Sequence, residues 1–367
     1  MKPDNGGPGT APAGVHAPIR EQWLGLVDEP LVPSDMPIVD AHHHLWDRPG
    51  NRYLLPEYRS DLGTVPAVAA TVFVQCRSHY LPAGPEALKP VGEVRFARAI
   101  AESAHRTGPN GPHIARGIVA GADLTLGDRL GGVLDAVEAA AGGRLRGIRN
   151  QTAWHPDPRV TSSPFPPTPN KLLDSAFRDG ARMLGTRGLS LDVWAYHTQL
   201  GQLRDLARAC PDTTIVVDHL GGPLGVGPYA DTRASAFADW ARDLAAVAAC
   251  PNTVLKLSGA GMRVFGFAFD QRRRPPTSDE LAAALTPYID LALALFGPQR
   301  CMFASNFPVD KGMFSYRTLW NAYAKAAAPL ARSEQEHLFH GTADAVYRLG
   351  LPLLSSTHAS TQEPVHG

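Results

Sequence analysis

The sequence predicts an α/β protein in which eight strand–helix units close into one (β/α)₈ barrel, the TIM-barrel fold. A short, β-rich apolar run followed by a loop and a helical segment recurs eight times along the 367 residues. Strands that alternate with helices pair in parallel through right-handed crossovers, and eight such units suggest closure into a barrel. No Gly-rich dinucleotide-binding turn follows the first strand, which disfavours the alternative of an open doubly wound sheet.

The predicted elements follow from residue type and spacing. Apolar residues four apart, such as Leu281, Leu285 and Ile289, indicate the helices between the strands. Capping boxes predict helix starts at Thr277 and Ser333, because a glutamate follows each of them three residues later. The predicted strands span residues 37–41, 69–75, 114–120, 144–150, 188–194, 213–218, 252–258 and 300–305.

Composition separates the barrel from two flanking segments. Residues 37–350 carry the repeating pattern and are assigned to one domain, preceded by an N-terminal extension at 1–36 and followed by a tail at 351–367. Residues 1–17 are rich in Gly and Pro, and residues from about 355 onward are rich in Ser, Thr and Gln. Such segments bury too little apolar surface to fold alone, so both ends are expected to be disordered.

The charge balance and the cysteines predict a cytoplasmic protein. Lys plus Arg equals Asp plus Glu at 35 each, which gives no electrostatic reason to expect nucleic acid or an anionic membrane as a partner. We find no apolar core of a signal peptide and no stretch of the roughly 20 apolar residues that a membrane span needs. The four cysteines form no Cys-x-x-Cys pair and lie in or beside apolar stretches, which fits a reducing compartment. A homo-oligomer stays open.

Histidines gather at the end of the first predicted strand. Active sites of (β/α)₈ barrels lie at the carboxyl ends of the strands, so polar residues there are candidates for chemistry. Side chains alternate along a strand, so Asp40, His42 and His44 are expected to share one face. His43 is expected to point the other way, as a packing or hydrogen-bonding residue. Two imidazoles two residues apart at a barrel mouth can bind one metal ion or one oxyanion.

Four segments along the chain carry a shared pattern: 38–47 (IVDAHHHLWD), 217–223 (VDHLGGP), 254–259 (VLKLSG) and 303–310 (FASNFPVD). In this order they resemble the amidohydrolase-related family, in particular its lactonase-like branch. The resemblance implies hydrolysis of a small-molecule substrate, with His219 beside the reacting carbonyl as a ligand, electrophile or proton shuttle; the alternative for His219 is a hydrogen bond within a turn. It also implies one divalent metal ion on His42, His44 and His219, with zinc favoured over manganese, while metal-free catalysis stays open.

Two positions depart from the pattern of that family. The fifth predicted strand ends without the histidine that members with a firmly held metal often carry, and His197 in the following loop is the candidate substitute. The eighth ends in Asn306, where the family usually supplies an aspartate, and an amide cannot accept a proton at neutral pH. Asp310 is the candidate replacement for that carboxylate, unless it pairs with Lys311 or caps the next helix.

Four further polar residues are candidates for substrate binding. Lys256 is predicted to face inward from the seventh strand, either as a base or carboxylate anchor or as a buried lysine paired with Asp218 or Asp192. Asp192 itself is predicted to face inward from the fifth strand. Arg77 and Arg149 end the second and fourth strands, where each could hold a substrate carboxylate through a two-pronged hydrogen bond or serve a structural role.

The loop at 260–270 is unusually rich in phenylalanine. Because a long loop at this end of a barrel should border the site, we predict an apolar lid over a bound ring. The alternative is a satellite cluster packed under the loop.

Three functions are compatible with these residues. The first is a hydrolase that opens a lactone, or a related ester or amide, of a small carboxylate-bearing substrate. The second is a zinc-dependent decarboxylase of an aromatic or unsaturated acid, which ranks lower because the family's decarboxylases rely on a strand-five histidine and a strand-eight aspartate. The third is a non-catalytic binder of small molecules; Asn306 favours it, whereas the retained histidines argue against it.

Overall fold

The predicted (β/α)₈ barrel is confirmed. A computed structural model describes residues 15–351, in which eight strands form one sheet in chain order. Neighbouring strands pair in parallel, as the alternation of strands and helices requires. The strands are β1 (Ile38–His43), β2 (Val68–Val74), β3 (His113–Gly121), β4 (Leu145–Gln151), β5 (Ser190–Trp194), β6 (Ile215–Val217), β7 (Thr253–Leu257) and β8 (Cys301–Phe303).

Helices surround the barrel, and a short antiparallel hairpin of Trp46–Arg48 with Asn51–Tyr53 follows β1. The long helix before β8 turns one apolar stripe toward the strands through Leu281, Leu285 and Ile289. The helices are α1 (Glu21–Leu24), α2 (Leu55–Gly63), α3 (Val91–Thr107), α4 (Leu130–Ala141), α5 (Ser175–Thr186), α6 (Leu200–Ala209), α7 (Arg233–Ala248), α8 (Ser278–Phe296), α9 (Tyr316–Ala327), α10 (Arg332–Glu336) and α11 (Thr342–Tyr347).

Apolar side chains fill two separate layers. Small residues such as Val39, Ala41 and Val72 pack inside the barrel. Larger residues such as Ile38 and Phe73, from the same strands, pack between the barrel and the helices. Because successive side chains of a strand point to opposite faces, each strand supplies both layers.

Along β1, the alternation of inward and outward side chains is interrupted before the histidines. The pairing of β1 with β2 shifts register between Asp40 and His43, so strict alternation does not hold there. The expectation that Asp40 shares a face with His42 and His44 is therefore wrong: Asp40 lies outside the barrel, while the two histidines converge at its mouth. His43 also points outward, as expected, and its Nε2 is 2.9 Å from the Thr71 hydroxyl.

Residues 305–307 join β8 to β1 and complete the ring of strands. The backbone N–H of Asn306 donates to the His42 carbonyl at 2.8 Å, and that of His44 donates to the Phe307 carbonyl at 2.7 Å. Behind this junction the buried Asp40 carboxylate accepts hydrogen bonds from the amide and hydroxyl of Ser305 at 2.8 and 2.7 Å. The Tyr58 and Tyr316 hydroxyls donate to the same carboxylate at 2.9 and 3.0 Å.

One expectation about the ends of the chain needs correction. The sequence predicts disorder for residues 1–17, yet Ala17 is buried. The carbonyl oxygen of Ala17 lies against Gly312, in the space that a side chain at position 312 would occupy. Residues 1–14 and 352–367, with the rest of the expected disorder, lie outside the described residues. The domain boundaries stay a prediction.

One of the two predicted capping boxes is confirmed. At the start of α8, Thr277 and Glu280 cap each other. Ser333 is not a cap, because the side chain of Glu334 accepts from the Ala331 backbone N–H at 2.9 Å and α10 therefore begins before Ser333. Within residues 15–351 no helix is long and apolar enough to cross a membrane.

Asp40→Ala should destabilise the fold by at least about 3 kcal/mol, since five donors would lose their buried acceptor. Urea unfolding followed by tryptophan fluorescence measures the difference. Asp128→Ala is the matched control, because Asp128 is exposed and should change stability by no more than about 0.5 kcal/mol. Equal stability of the two variants would contradict the role of Asp40 in closing the barrel.

Candidate active site

Three histidines meet at the carboxyl end of the barrel, as the strand positions predict. The Nε2 atoms of His42 and His44 are 3.2 Å apart. The ring centres of His42 and His219 are 4.5 Å apart. His219 follows β6 with a φ of 54°, a left-handed conformation that non-glycine residues seldom adopt outside functional sites and turns.

Each of the three imidazoles uses its Nδ1 atom to fix its orientation. His44 Nδ1 is 2.8 Å from the Val74 carbonyl, which can only accept, so this nitrogen carries the proton. His219 Nδ1 is 2.9 Å from the Ser258 hydroxyl. His42 Nδ1 is 3.2 Å from the Lys256 ammonium and 3.4 Å from Asp218. In each ring, only Nε2 could bind a metal ion, and it can do so only in the tautomer that leaves it without a proton.

The position of the proton on His42 depends on which neighbour its Nδ1 meets. The Lys256 ammonium can only donate, so a bond from it leaves the proton on Nε2, which then donates to His44 Nε2. A bond from Nδ1–H to Asp218 would instead leave a lone pair on Nε2. The first geometry is the shorter one.

A buried layer of four charges supports the histidines from below. Lys256 Nζ lies 2.7 Å from Asp192 and 3.2 Å from Asp218. Arg149 Nε donates to the other oxygen of Asp218 at 2.9 Å. Asp192 also accepts from the Ser190 and Tyr347 hydroxyls. Buried ions are tolerated only when they are paired in this way.

Burial and these charges keep the imidazoles neutral. Burial, followed by the positive charge of Lys256, holds the pKa of His42 well below its usual value. Burial, followed by Arg149, does the same to the pKa of His44. The pKa of His219 falls to about 3, again chiefly by burial. Burial alone would raise the pKa of Asp218, but Lys256 and the other nearby charges hold it well below its ordinary range.

The histidine cluster fits a divalent metal ion. Neutral imidazole nitrogen is a preferred zinc ligand, and a second hydrogen bond at the other ring nitrogen is typical of metal-ligating histidines. His44 and His219 meet both conditions through their Nδ1 bonds, and His42 meets them when its Nδ1–H bonds to Asp218. Asp218 also lies within 4.8 Å of His42 and His219 atoms that could bind a metal. Its oxygens already face Arg149 and Lys256, so we regard the three Nε2 atoms as the stronger donor set.

A cavity of about 220 Å³ opens above His44 and His219. Arg48, Arg77 and Arg149 line it, whereas no aspartate or glutamate of the described residues does. Trp46, Trp194 and Phe165 supply aromatic walls, and Asn306 also lines it. The cavity is therefore small, partly aromatic and positively charged, which suits a small anionic ligand.

A larger cavity of about 830 Å³ lies at the opposite end of the barrel. Its lining is mostly apolar and includes Pro37, Val68 and Ile114 from the starts of strands. None of the histidines of the cluster lines it. Since chemistry in this fold lies at the carboxyl ends, the smaller cavity is the candidate active site.

Several predicted site residues support the cavity without lining it. Lys256 and Asp192 are fully buried and bonded to each other, which confirms the paired alternative for the lysine. His197 does not join the cluster, because its Nδ1 accepts from the Leu224 backbone N–H at 3.2 Å and its ring packs on Tyr229. The strand-five histidine therefore has no substitute there.

Asp310 lies next to Asn306 rather than among the histidines. The Asn306 amide donates to Asp310 Oδ1 at 2.8 Å, and the carboxylate is fully buried. Gly261 packs directly against Asp310, with no room for a side chain. Burial raises the pKa of Asp310 to about 8. Asp310 thus touches a cavity residue but does not line the cavity itself.

The loop that carries Arg77 is anchored by Glu93, a residue that the sequence did not single out. The buried Glu93 carboxylate of α3 accepts from the backbone N–H groups of Cys76 and Ser78, both at 2.9 Å. Arg77 between them has a φ of 60° and points to the cavity. A glutamate in the first turn of a helix gives no sequence signal for this role.

The expected aromatic lid is wrong. Phe265 and Phe269 are buried, and Phe267 stacks on Phe269 with ring centres 5.5 Å apart, so these rings form the satellite cluster. The cavity is covered instead by the loop after β4, where Ser162 accepts from the Trp194 indole at 3.0 Å. Phenylalanine content alone does not show which way a loop folds.

The free energy of unfolding of Asp310→Asn, relative to that of the wild type, should increase as the pH rises. The folded chain keeps the Asp310 proton up to about pH 8, whereas the unfolded chain loses it near the ordinary value of 3.8. Between these values the folded state binds more protons, so a rising pH favours unfolding of the wild type. The variant has no such proton, and urea unfolding between about pH 5 and pH 8 measures the difference. A constant difference over that range, as expected for Asp128→Asn, would contradict the burial of a protonated Asp310.

Comparisons with known proteins agree with this architecture. Residues 39–349 match the family described as Amidohydrolase. An uncharacterized protein of Sinorhizobium fredii, y4mH, is 32% identical over 86% of this chain and 100% of its own length. L-fucono-1,5-lactonase of Burkholderia multivorans is 27% identical over 86% of this chain and 97% of its own length. A crystal structure of an amidohydrolase from Burkholderia multivorans with bound zinc has a TM-score of 0.63 and 25% identity, covering 85% of this chain and 99% of that one. The chain belongs to the amidohydrolase family.

Proposed function

We propose that this protein is a hydrolase that opens a lactone, or a related ester or amide, of a small carboxylate-bearing substrate. The observation that carries the proposal is a cluster of three converging, neutral imidazoles, two of which, those of His44 and His219, line an arginine-lined cavity. Hydrolysis of a carbonyl compound needs an activated water and a group that polarises the carbonyl oxygen. The floor of the cavity offers places for both.

The imidazoles suit metal binding better than proton transfer. A side chain whose pKa lies far below neutrality is a weak base, and the pKa of His219 is about 3. The same lack of a proton leaves a lone pair for a metal ion. His42, His44 and His219 would hold a divalent ion, which when bound lowers the pKa of water and polarises the carbonyl. Zinc is favoured by the all-nitrogen donor set, with manganese as the alternative.

The arginines select the charge of the substrate. Arg149 is tied to Asp218, so its charge is balanced within the barrel. Arg48 bonds a backbone carbonyl and Arg77 stacks on Phe165, and neither forms an ion pair with a described residue. Both therefore leave positive charge at the cavity, where a carboxylate would pair with it. An uncharged ring can still accept hydrogen bonds from these two guanidinium groups, but it lacks the added attraction between opposite charges.

The lactonase relative supports the reaction class. L-fucono-1,5-lactonase acts on a sugar lactone by its name, and its similarity spans nearly its full length. A six-membered sugar lactone is a small ring with several hydroxyls, of a size that suits the 220 Å³ cavity. The buried free cysteines also support the proposal that the protein works in the reducing cytoplasm.

A panel of sugar lactones, aryl esters and aromatic carboxylic acids, assayed with the zinc-loaded protein, tests the proposal. The wild type should open a lactone without releasing carbon dioxide. His42→Ala and His219→Ala should each lower kcat/KM by at least about 100-fold, since each removes a group at the reacting centre. Both variants should also lose bound metal, as measured by elemental analysis.

His105→Ala is the matched control, because His105 is exposed on α3. Its kcat/KM and metal content should equal those of the wild type. Wild-type rates in both active-site variants would contradict the proposal. Carbon dioxide release would instead identify a decarboxylase, and tight binding of a ring acid without turnover would identify a binding protein.

A further inference from the structure

Residues 15–24, which we call the N-terminal segment, reach across the mouth of the barrel. The segment lies outside the residues that match the family, which begin at 39. Arg20 donates to the Asp270 carbonyl at 2.7 Å, and the Trp23 indole donates to the Arg272 carbonyl at 3.1 Å. These bonds attach the segment to the loop after β7.

A second attachment lies closer to the cavity. Ala17 is buried, and its carbonyl oxygen occupies the space that a Cβ atom on Gly312 would need. Gly312 belongs to the turn after β8, near Asp310. The chain at Ala17 is therefore held between the loops that follow β7 and β8, and the residue before it is brought to the cavity.

That residue, His16, lines the candidate active site. Its ring is nearly parallel to the Trp46 indole, at 14° with centres 6.3 Å apart. The same indole lies nearly parallel to the ring of His44, at 18° and 5.8 Å. Trp46 thus connects the N-terminal segment to the histidine cluster. Neither ring nitrogen of His16 forms a hydrogen bond with a described residue.

The electrostatics of His16 leave it able to bind a ligand in its neutral form. Burial, followed by the charges of Arg48 and Arg263, lowers the pKa of His16 to about 4. A neutral imidazole has one N–H donor and one acceptor. His16 and Arg48 both line the cavity, and the charge of Arg48 acts on His16, so an anionic or hydroxyl oxygen bound beside Arg48 would be near a neutral N–H donor.

We propose that His16 is a substrate-contacting residue that helps to select the substrate, by donating its N–H to a carboxylate or hydroxyl oxygen held beside Arg48. The inference rests on the proposed function, because it assumes that the substrate occupies this cavity. It assigns the N-terminal segment a part in specificity that the barrel alone does not supply.

Replacing His16 should weaken substrate binding more than turnover. With the best lactone of the panel, His16→Ala should raise KM about tenfold, as expected for one lost hydrogen bond to a charged or polar group, and change kcat by no more than about twofold. His16→Gln keeps an N–H donor and should recover part of the loss. His105→Ala is the control and should leave KM unchanged. An unchanged KM in His16→Ala would overturn the proposal.

Gly312→Ala displaces the segment without touching the cavity. The added methyl group conflicts with the Ala17 carbonyl, so the backbone must move and carry His16 with it. We expect a rise in KM similar to that of His16→Ala, and little further change in the double variant. Full additivity of the two effects would contradict the view that Gly312 acts through His16.

Nuclear magnetic resonance of the histidine rings separates this inference from the proposed function. The His16 signal, assigned by its absence in His16→Gln, should shift on addition of the ring-opened acid of the best lactone, while the His105 signal should not. If no lactone is turned over, the proposed function fails, and L-fuconate serves as the probe. A His16 signal that titrates near the ordinary histidine pKa of 6.5, and that does not shift when the probe is added, would overturn the assignment of His16.

Discussion

The site depends on one buried arrangement of charge, in which the Lys256 ammonium lies between the carboxylates of Asp192 and Asp218. With Arg149 on the far side of Asp218, two cations face two acids and the formal charge closes to zero. An unpaired ion at this depth would cost several kcal/mol, so each member holds the others in place. The ammonium also fixes the Nδ1 side of His42, which turns its Nε2 toward the neighbouring histidine. The buried layer of charges thus orients His42, and through it the histidine cluster.

The residues that close the barrel also shape the site. The interrupted alternation in β1 turns Asp40 outward and the two following histidines inward, and the outward carboxylate then binds Ser305. Through residues 305–307 the same junction presents Asn306 at the cavity. A substitution in this junction therefore affects stability and site geometry together. The lower layer of charges and this junction restrain the histidines from two directions.

The sequence predicts well what depends on local periodicity. All eight strands, the convergence of His42, His44 and His219, and the arginines at the strand ends follow from pattern and position. Register and loop paths do not follow. Asp40 turned outward because a bulge is not visible in residue order, and the phenylalanines of 260–270 packed inward because loop direction depends on tertiary contacts. The sequence does not predict a role for His16, because the Gly- and Pro-rich residues around it are typical of disorder, although its neighbour Ala17 packs on Gly312.

The proton positions on the three imidazoles test the account most directly. Long-range proton–nitrogen correlation spectra of the metal-free protein with labelled histidine would report them. We expect neutral rings throughout the range from about pH 6 to pH 8, with the proton on Nδ1 of His44 and on Nε2 of His42. A positively charged ring at any of the three positions near neutral pH would contradict the account, because the layer of charge below the cluster would then not control it.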